Sequence, residues 1–132
     1  MPFFIAWLAA TIAFLLLDGL WLGVIAKSFY VQQMGELLRP SPSVAPAAGF
    51  YLCYAVGLVF LAVRPGSPEL PLGNVALYGA VVGFLAYGTY NMTSLSVIRG
   101  WPTTLSFVDL AWGTVLSATV AVIAALAVRQ FG

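Results

Sequence analysis

The chain has no histidine, a single cysteine and very little charge. Each shortage closes off a class of function. Without histidine there is no ordinary general base near neutral pH, no usual haem or chlorophyll axial ligand, and none of the commonest transition-metal ligand. Proton chemistry would therefore run on carboxylates, tyrosines or lysine, and neither a metal nor a cofactor is expected. Cys53 stands alone, which rules out an intrachain disulfide. In its apolar run it reads as a small buried hydrophobe rather than a reactive thiol. Only 7% of the 132 residues are charged, against roughly 25% in a soluble domain. The net charge of +1 supplies no basic patch for nucleic acid. What is abundant is apolar surface: 62% hydrophobic residues and a mean hydropathy of +1.02. Such a chain cannot cover a water-facing exterior. An all-α integral membrane protein is expected, with one transmembrane domain over residues 1–132.

A span needs about 20 mainly apolar residues. Four such runs follow in order, at about residues 3–26, 44–63, 72–98 and 103–128, predicting a four-helix bundle. Val24-Ile25-Ala26 resembles a signal-cleavage site, but the preceding run has no basic start and is too long, so a retained helix is expected. Ser43 as a cap and Pro46 in the first turn mark the start of the second run. The short connections at 64–71 and 99–102 make helices two and three, and three and four, antiparallel neighbours. In the longer first connection, Tyr30, Met34, Leu37 and Leu38 fall at helical spacing, which predicts a short interfacial helix, with an ordinary connector as the alternative. Arg39-Pro-Ser-Pro-Ser43 then turns the chain into helix two. Lys27, Arg39 and Arg99 lie on the connection side and Arg64 and Arg129 on the side of the termini. The positive-inside rule then favours external termini.

Against this background two aspartates stand out: Asp18 in LLLDGLWLG and Asp109 in SFVDLAWGT. A charged side chain at mid-bilayer costs about 2.5–3.5 kcal/mol on insertion scales. Counted at 1.5 Å per helical residue, Asp18 lies about 13 Å before Lys27 and Asn91 about 12 Å before Arg99. Asp109 lies about 9 Å into the fourth helix. All three therefore converge in the half of the bilayer nearer the connections. Tyr87, Tyr90, Thr93, Ser94, Ser96 and Ser106 fall in that half too, whereas VAVIAALAV in the other half is apolar. Polar side chains in lipid turn inward and pair, so Asp18, Asn91 and Asp109 are candidates for one shared site. Asn91 is suited to bridge the two carboxylates. Arg99 is the nearest cation to Asn91 and Asp109, and has the choice of reaching inward to an aspartate or outward to lipid phosphates.

Gly19 and Gly23 in helix one, Gly79 and Gly83 in helix three, and the ladder Gly113, Ser117, Ala121, Ala125 in helix four place small residues at four-residue spacing. Together they predict a tight bundle. Trp21 and Trp112 each follow an aspartate by three residues, on the same helical face. Because the helices run oppositely, the tryptophans lie on opposite sides of their aspartates in depth. Either they wall a ligand pocket or they simply pack. Trp101, in the last connection, reads as an interfacial anchor.

The stretch YNMTSLSVIRGWPTTLSFVDLAWGTVLS, Tyr90 to Ser117, together with DGLWLG at Asp18–Gly23, resembles a family of small bacterial membrane proteins known as domain of unknown function 2177. The resemblance covers essentially the whole chain. It implies a bacterial inner-membrane protein with a four-helix core and carries no activity, so no catalytic residue is transferred. It implies that Asp18, Asn91, Thr93, Ser94, Trp101, Pro102, Asp109 and Trp112 belong to the family's recurring polar blocks, in agreement with the cluster reached from depth alone.

Three functions compete. The first is binding or transport of a small or lipid-like ligand, with proton coupling through Asp18 and Asp109 as one form of it. Its candidate residues are Asp18, Asn91, Asp109, Tyr87, Tyr90, Thr93, Ser94, Trp21, Trp112 and Arg99. The second is an accessory or assembly subunit of a larger membrane complex, whose polar cluster only holds the helices in register; a homodimer is a separate expectation about partners. The third, an intramembrane enzyme acting on lipid, ranks last, because the chain has no paired metal ligands and no G-x-S-x-G nucleophile elbow.

Overall fold

The computed structural model describes residues 2–35, 44–64 and 71–131, with the side chains of 44, 45 and 47 left aside. The described residues form helices and short turns with no strand: α1 (Pro2–Leu20), α2 (Lys27–Met34), α3 (Val44–Leu58), α4 (Leu72–Val97) and α5 (Thr103–Phe131). Two of them run on into π-helical turns, α1 through Trp21–Ile25 and α3 through Val59–Val63. Three helices are long and apolar enough to cross a membrane: Pro2–Ile25, Leu72–Val97 and Thr103–Phe131. Ala48–Val63 is a shorter apolar helix.

The helix ends follow from local chemistry. Gly35, at φ +56°, closes α2 in a backbone region that residues with a Cβ rarely enter. Gly100, at φ +79°, makes the tight turn between α4 and α5, where the Trp101 amide donates to the Ile98 carbonyl at 3.3 Å. The expected cap Ser43, the turn at 39–43 and Leu37 and Leu38 lie outside the described residues, as does most of the 64–71 connection.

Helix α5 is the most enclosed, with Leu116, Ser117, Val120, Ala121 and Ala124 all at or near zero exposure. Around it pack Ala6, Ala10 and Phe14 of α1, Ala55, Leu58, Val59 and Ala62 of the α3 segment, and Val75 of α4. So many small side chains in a core place the backbones close together, which is how helices associate where lipid removes the hydrophobic drive. The exterior is the inverse of a soluble protein's: Leu16, Val24, Phe60 and Val97 are each more than two-thirds exposed.

The three small-residue motifs divide. On α4, a Cβ added at Gly79 would meet the Ser117 carbonyl at 2.8 Å and the Ala121 Cβ at 2.9 Å. One at Gly83 would meet the Ser117 side chain at 2.7 Å, and one at Gly113 would overlap the Tyr87 ring. The α4–α5 contact therefore depends on these glycines. Gly19 and Gly23 correct the expectation for helix one: both are exposed, with nothing within 4 Å of an added Cβ. Cys53 is a second correction, since it is exposed rather than buried. Its neighbours Phe50, Leu52 and Val56 are exposed too. In a helix apolar on every side, hydropathy does not mark which side faces lipid.

Candidate functional site

The depth count that aligned the aspartates also explains how they are held. Asp18 and Trp112 each lie about 13 Å from the connection end of their helices, and Trp21 and Asp109 each about 9 Å. Antiparallel α1 and α5 thus set each tryptophan level with the other helix's aspartate. Trp112 Nε1 donates to Asp18 Oδ1 at 3.0 Å. Trp21 Nε1 donates to the Tyr30 hydroxyl at 3.3 Å, which in turn donates to Asp109 Oδ1 at 2.7 Å. The two indoles stack between these bonds, with centroids 4.4 Å apart and planes 9° from parallel. The D-x-x-W spacing makes a crossed pair.

Each carboxylate has a second donor. The Tyr51 hydroxyl from α3 donates to Asp18 Oδ2. Asn91 Nδ2 from α4 donates to Asp109 Oδ2 at 2.8 Å, and also reaches the Tyr87 carbonyl at 2.9 Å. Asn91 therefore serves Asp109 without bridging to Asp18. Four oxygens receive four hydrogen bonds, all from neutral groups. Asp18 is 6% exposed and Asn91 1%; burying such groups is tolerable only because they are paired. Tyr30, on α2 beyond the first long helix, is held above its usual value near 10 by burial, with the Asp109 carboxylate acting in the same direction and the Trp21 bond against it. It stays a neutral donor.

Both aspartates line one cavity of about 470 Å³ at the connection end of the bundle. Asn91, Tyr87 and Tyr90, all expected there, line it as well. The other five candidates do not. Trp112 stands behind Asp18 as its donor, and Trp21 reaches Asp109 only through the Tyr30 hydroxyl. Ser94 is buried off the cavity, and Thr93 and Arg99 are exposed. Arg99 is not among the hydrogen-bond donors to either carboxylate, so its inward option is not the one taken. Trp101, expected as an anchor, lines the cavity and meets Tyr90 edge-on at 5.7 Å.

Sequence reasoning missed the contribution of α2 and α3. Tyr30 and Met34, two of the stripe residues assigned to an interfacial helix, line the cavity. Tyr51 was overlooked, although the same count puts it about 10 Å into α3, level with the aspartates. A tyrosine pair at 51 and 54 in an apolar run was the available signal. Tyr54 makes the second polar contact, 2.8 Å from Ser117 Oγ.

Residues 3–126 match the family described as predicted membrane protein (DUF2177). The chain belongs to this family. No curated protein and no solved structure matches it. The DUF2177 match runs from α1 into the last third of α5 and so contains every residue of the carboxylate network and of the cavity lining.

Proposed function

We propose that this DUF2177 protein is a multi-pass protein of a bacterial inner membrane that binds or carries a small or lipid-like ligand in the carboxylate-lined cavity. One observation carries the reading: two aspartates from antiparallel helices, Asp18 buried and Asp109 half-buried, open onto the same space of about 470 Å³. A network needed only for helix register gains nothing from such a space, and this volume falls within the about 300–1,000 Å³ usual for ligand pockets. Leu22, Phe50 and Tyr90 line the cavity and are also exposed, so it reaches the surface of the bundle.

Four spans fit this reading. Val44–Leu58 continued by Val59–Val63 is about 30 Å long, the thickness of a bilayer's hydrocarbon core. Exposed Lys27 and Arg99 flank the site end, which favours a cytoplasmic site and external termini. Proton coupling, in this reading, runs on the carboxylates themselves, both of which line the cavity. The test is mass spectrometry of protein purified in mild detergent. The wild-type chain should retain a small molecule or lipid that Asp18→Asn and Asp109→Asn lose while staying folded. An empty wild-type protein, or equal retention by all three, would defeat the proposal.

A second reading, as a subunit of a homodimer or larger complex, is favoured by the outward-facing Gly19 and Gly23, which leave one flank of α1 open to another helix. Gentle purification that yields a monodisperse single chain would count against it.

A further inference from the structure

The chemistry of the cavity wall narrows the ligand. Six of its lining residues are aromatic: Tyr30, Phe50, Tyr51, Tyr87, Tyr90 and Trp101. Two are carboxylates, and no lysine or arginine is among the described residues that line it. The four hydrogen bonds that Asp18 and Asp109 receive come from neutral donors, which orient the carboxylates without neutralising them. An anionic ligand meets repulsion here, and a neutral one leaves the charge of a buried and a half-buried carboxylate uncompensated. A divalent cation would need about six or more oxygen ligands in regular geometry. The Tyr30 and Tyr51 hydroxyls are already engaged as donors to the carboxylates, and no group of three His, Cys, Asp or Glu placed to hold a metal occurs among the described residues. Aromatic walls with carboxylates suit an organic cation, whose charge is spread over a surface that ring faces attract.

We propose that the cavity binds an organic ammonium group, the cation against Asp18 and Asp109 and among the aromatic side chains around them. This rests on the ligand-binding reading above and adds the ligand's chemical class. An amine-bearing lipid headgroup and a free amino alcohol share this chemistry.

The probe is choline, compared with its uncharged carbon isostere, in which carbon replaces the nitrogen. Binding to the purified full chain is measured by ligand-observed magnetic resonance in a non-ionic detergent. Choline is expected to saturate the site and to bind about tenfold or more tightly than the isostere. Asp18→Asn and Asp109→Asn should abolish that preference. The wild-type comparison decides the matter even if neither variant folds. In parallel, protein from nanodiscs of mixed phosphatidylethanolamine and phosphatidylglycerol is examined by native mass spectrometry. Retained phosphatidylethanolamine assigns the cation to a lipid headgroup; choline binding without retained lipid assigns it to a free amine. Equal binding of choline and isostere, or retention of phosphatidylglycerol, overturns the ammonium assignment and leaves a ligand site standing. Failure of every probe, with nothing retained, overturns both.

Discussion

Gly83 and Gly19 occupy the same kind of motif, yet alanine at the two positions should act with opposite sign. At Gly83 the new Cβ would sit 2.7 Å from the Ser117 side chain and closer still to the Gly113 carbonyl. One obstacle is backbone, so relief requires α4 and α5 to separate. Overpacking of this kind costs about 1–3 kcal/mol, and the upper part of that range applies where no side chain can swing clear. Replacing a helical glycine returns up to about 1 kcal/mol, leaving a net loss of about 1–2 kcal/mol. At Gly19 an added Cβ meets nothing within 4 Å, so only the gain of up to about 1 kcal/mol remains. The two variants should differ by about 2–3 kcal/mol on these figures. Equilibrium unfolding in mixed micelles of rising dodecyl sulfate content, followed by tryptophan fluorescence, measures the difference. Unfolding of both variants at the same detergent fraction, or Gly19→Ala as the weaker, would refute the close α4–α5 packing.

The same assay separates two tyrosines. Tyr51→Phe removes a donor to the Asp18 carboxylate and should cost about 1.5–3 kcal/mol, whereas Tyr54→Phe removes a neutral contact to Ser117 and should cost about 0.5–1.5 kcal/mol. Equal losses would mean that Asp18 does not depend on Tyr51. Tyr30 gives a pH dependence. Its folded value lies above the unfolded value near 10, so its contribution is intact below pH 10 and is lost as pH rises beyond it. Wild-type protein should therefore lose stability relative to Tyr30→Phe in alkaline buffer, and parallel curves would show that Tyr30 is not buried as a neutral donor.

Much of this arrangement was legible in hydropathy and helical rise. Apolar runs marked out the helices, and counting 1.5 Å per residue placed Asp18, Asn91 and Asp109 at one end. What the count lacked was direction around each helix. An amphipathic helix shows its inner face by its polar residues, but α1 and α3 are apolar apart from a few such as Asp18, Tyr51 and Tyr54, so Cys53, Gly19 and Gly23 could be assigned to the wrong side. The partner of each carboxylate was hidden for the same reason. Depth alone allowed Asn91 to serve either aspartate. The crossed indoles follow only when both antiparallel helices are counted from the same end, which brings Trp112 level with Asp18 and Trp21 with Asp109. The share of α2 was obscured because Tyr30 and Met34 at helical spacing look alike whether the stripe meets lipid or the bundle.

The central claim is that both carboxylates serve one ligand site. The direct measurement is the dissociation constant of the species retained by the wild-type protein, compared across Asp18→Asn, Asp109→Asn and the double variant. Residues around one ligand couple, and residues at separate places add. The account predicts that each single substitution weakens binding by about tenfold or more, with the double variant little worse than either single one. Unchanged binding in either single variant, or losses that simply add, would contradict it.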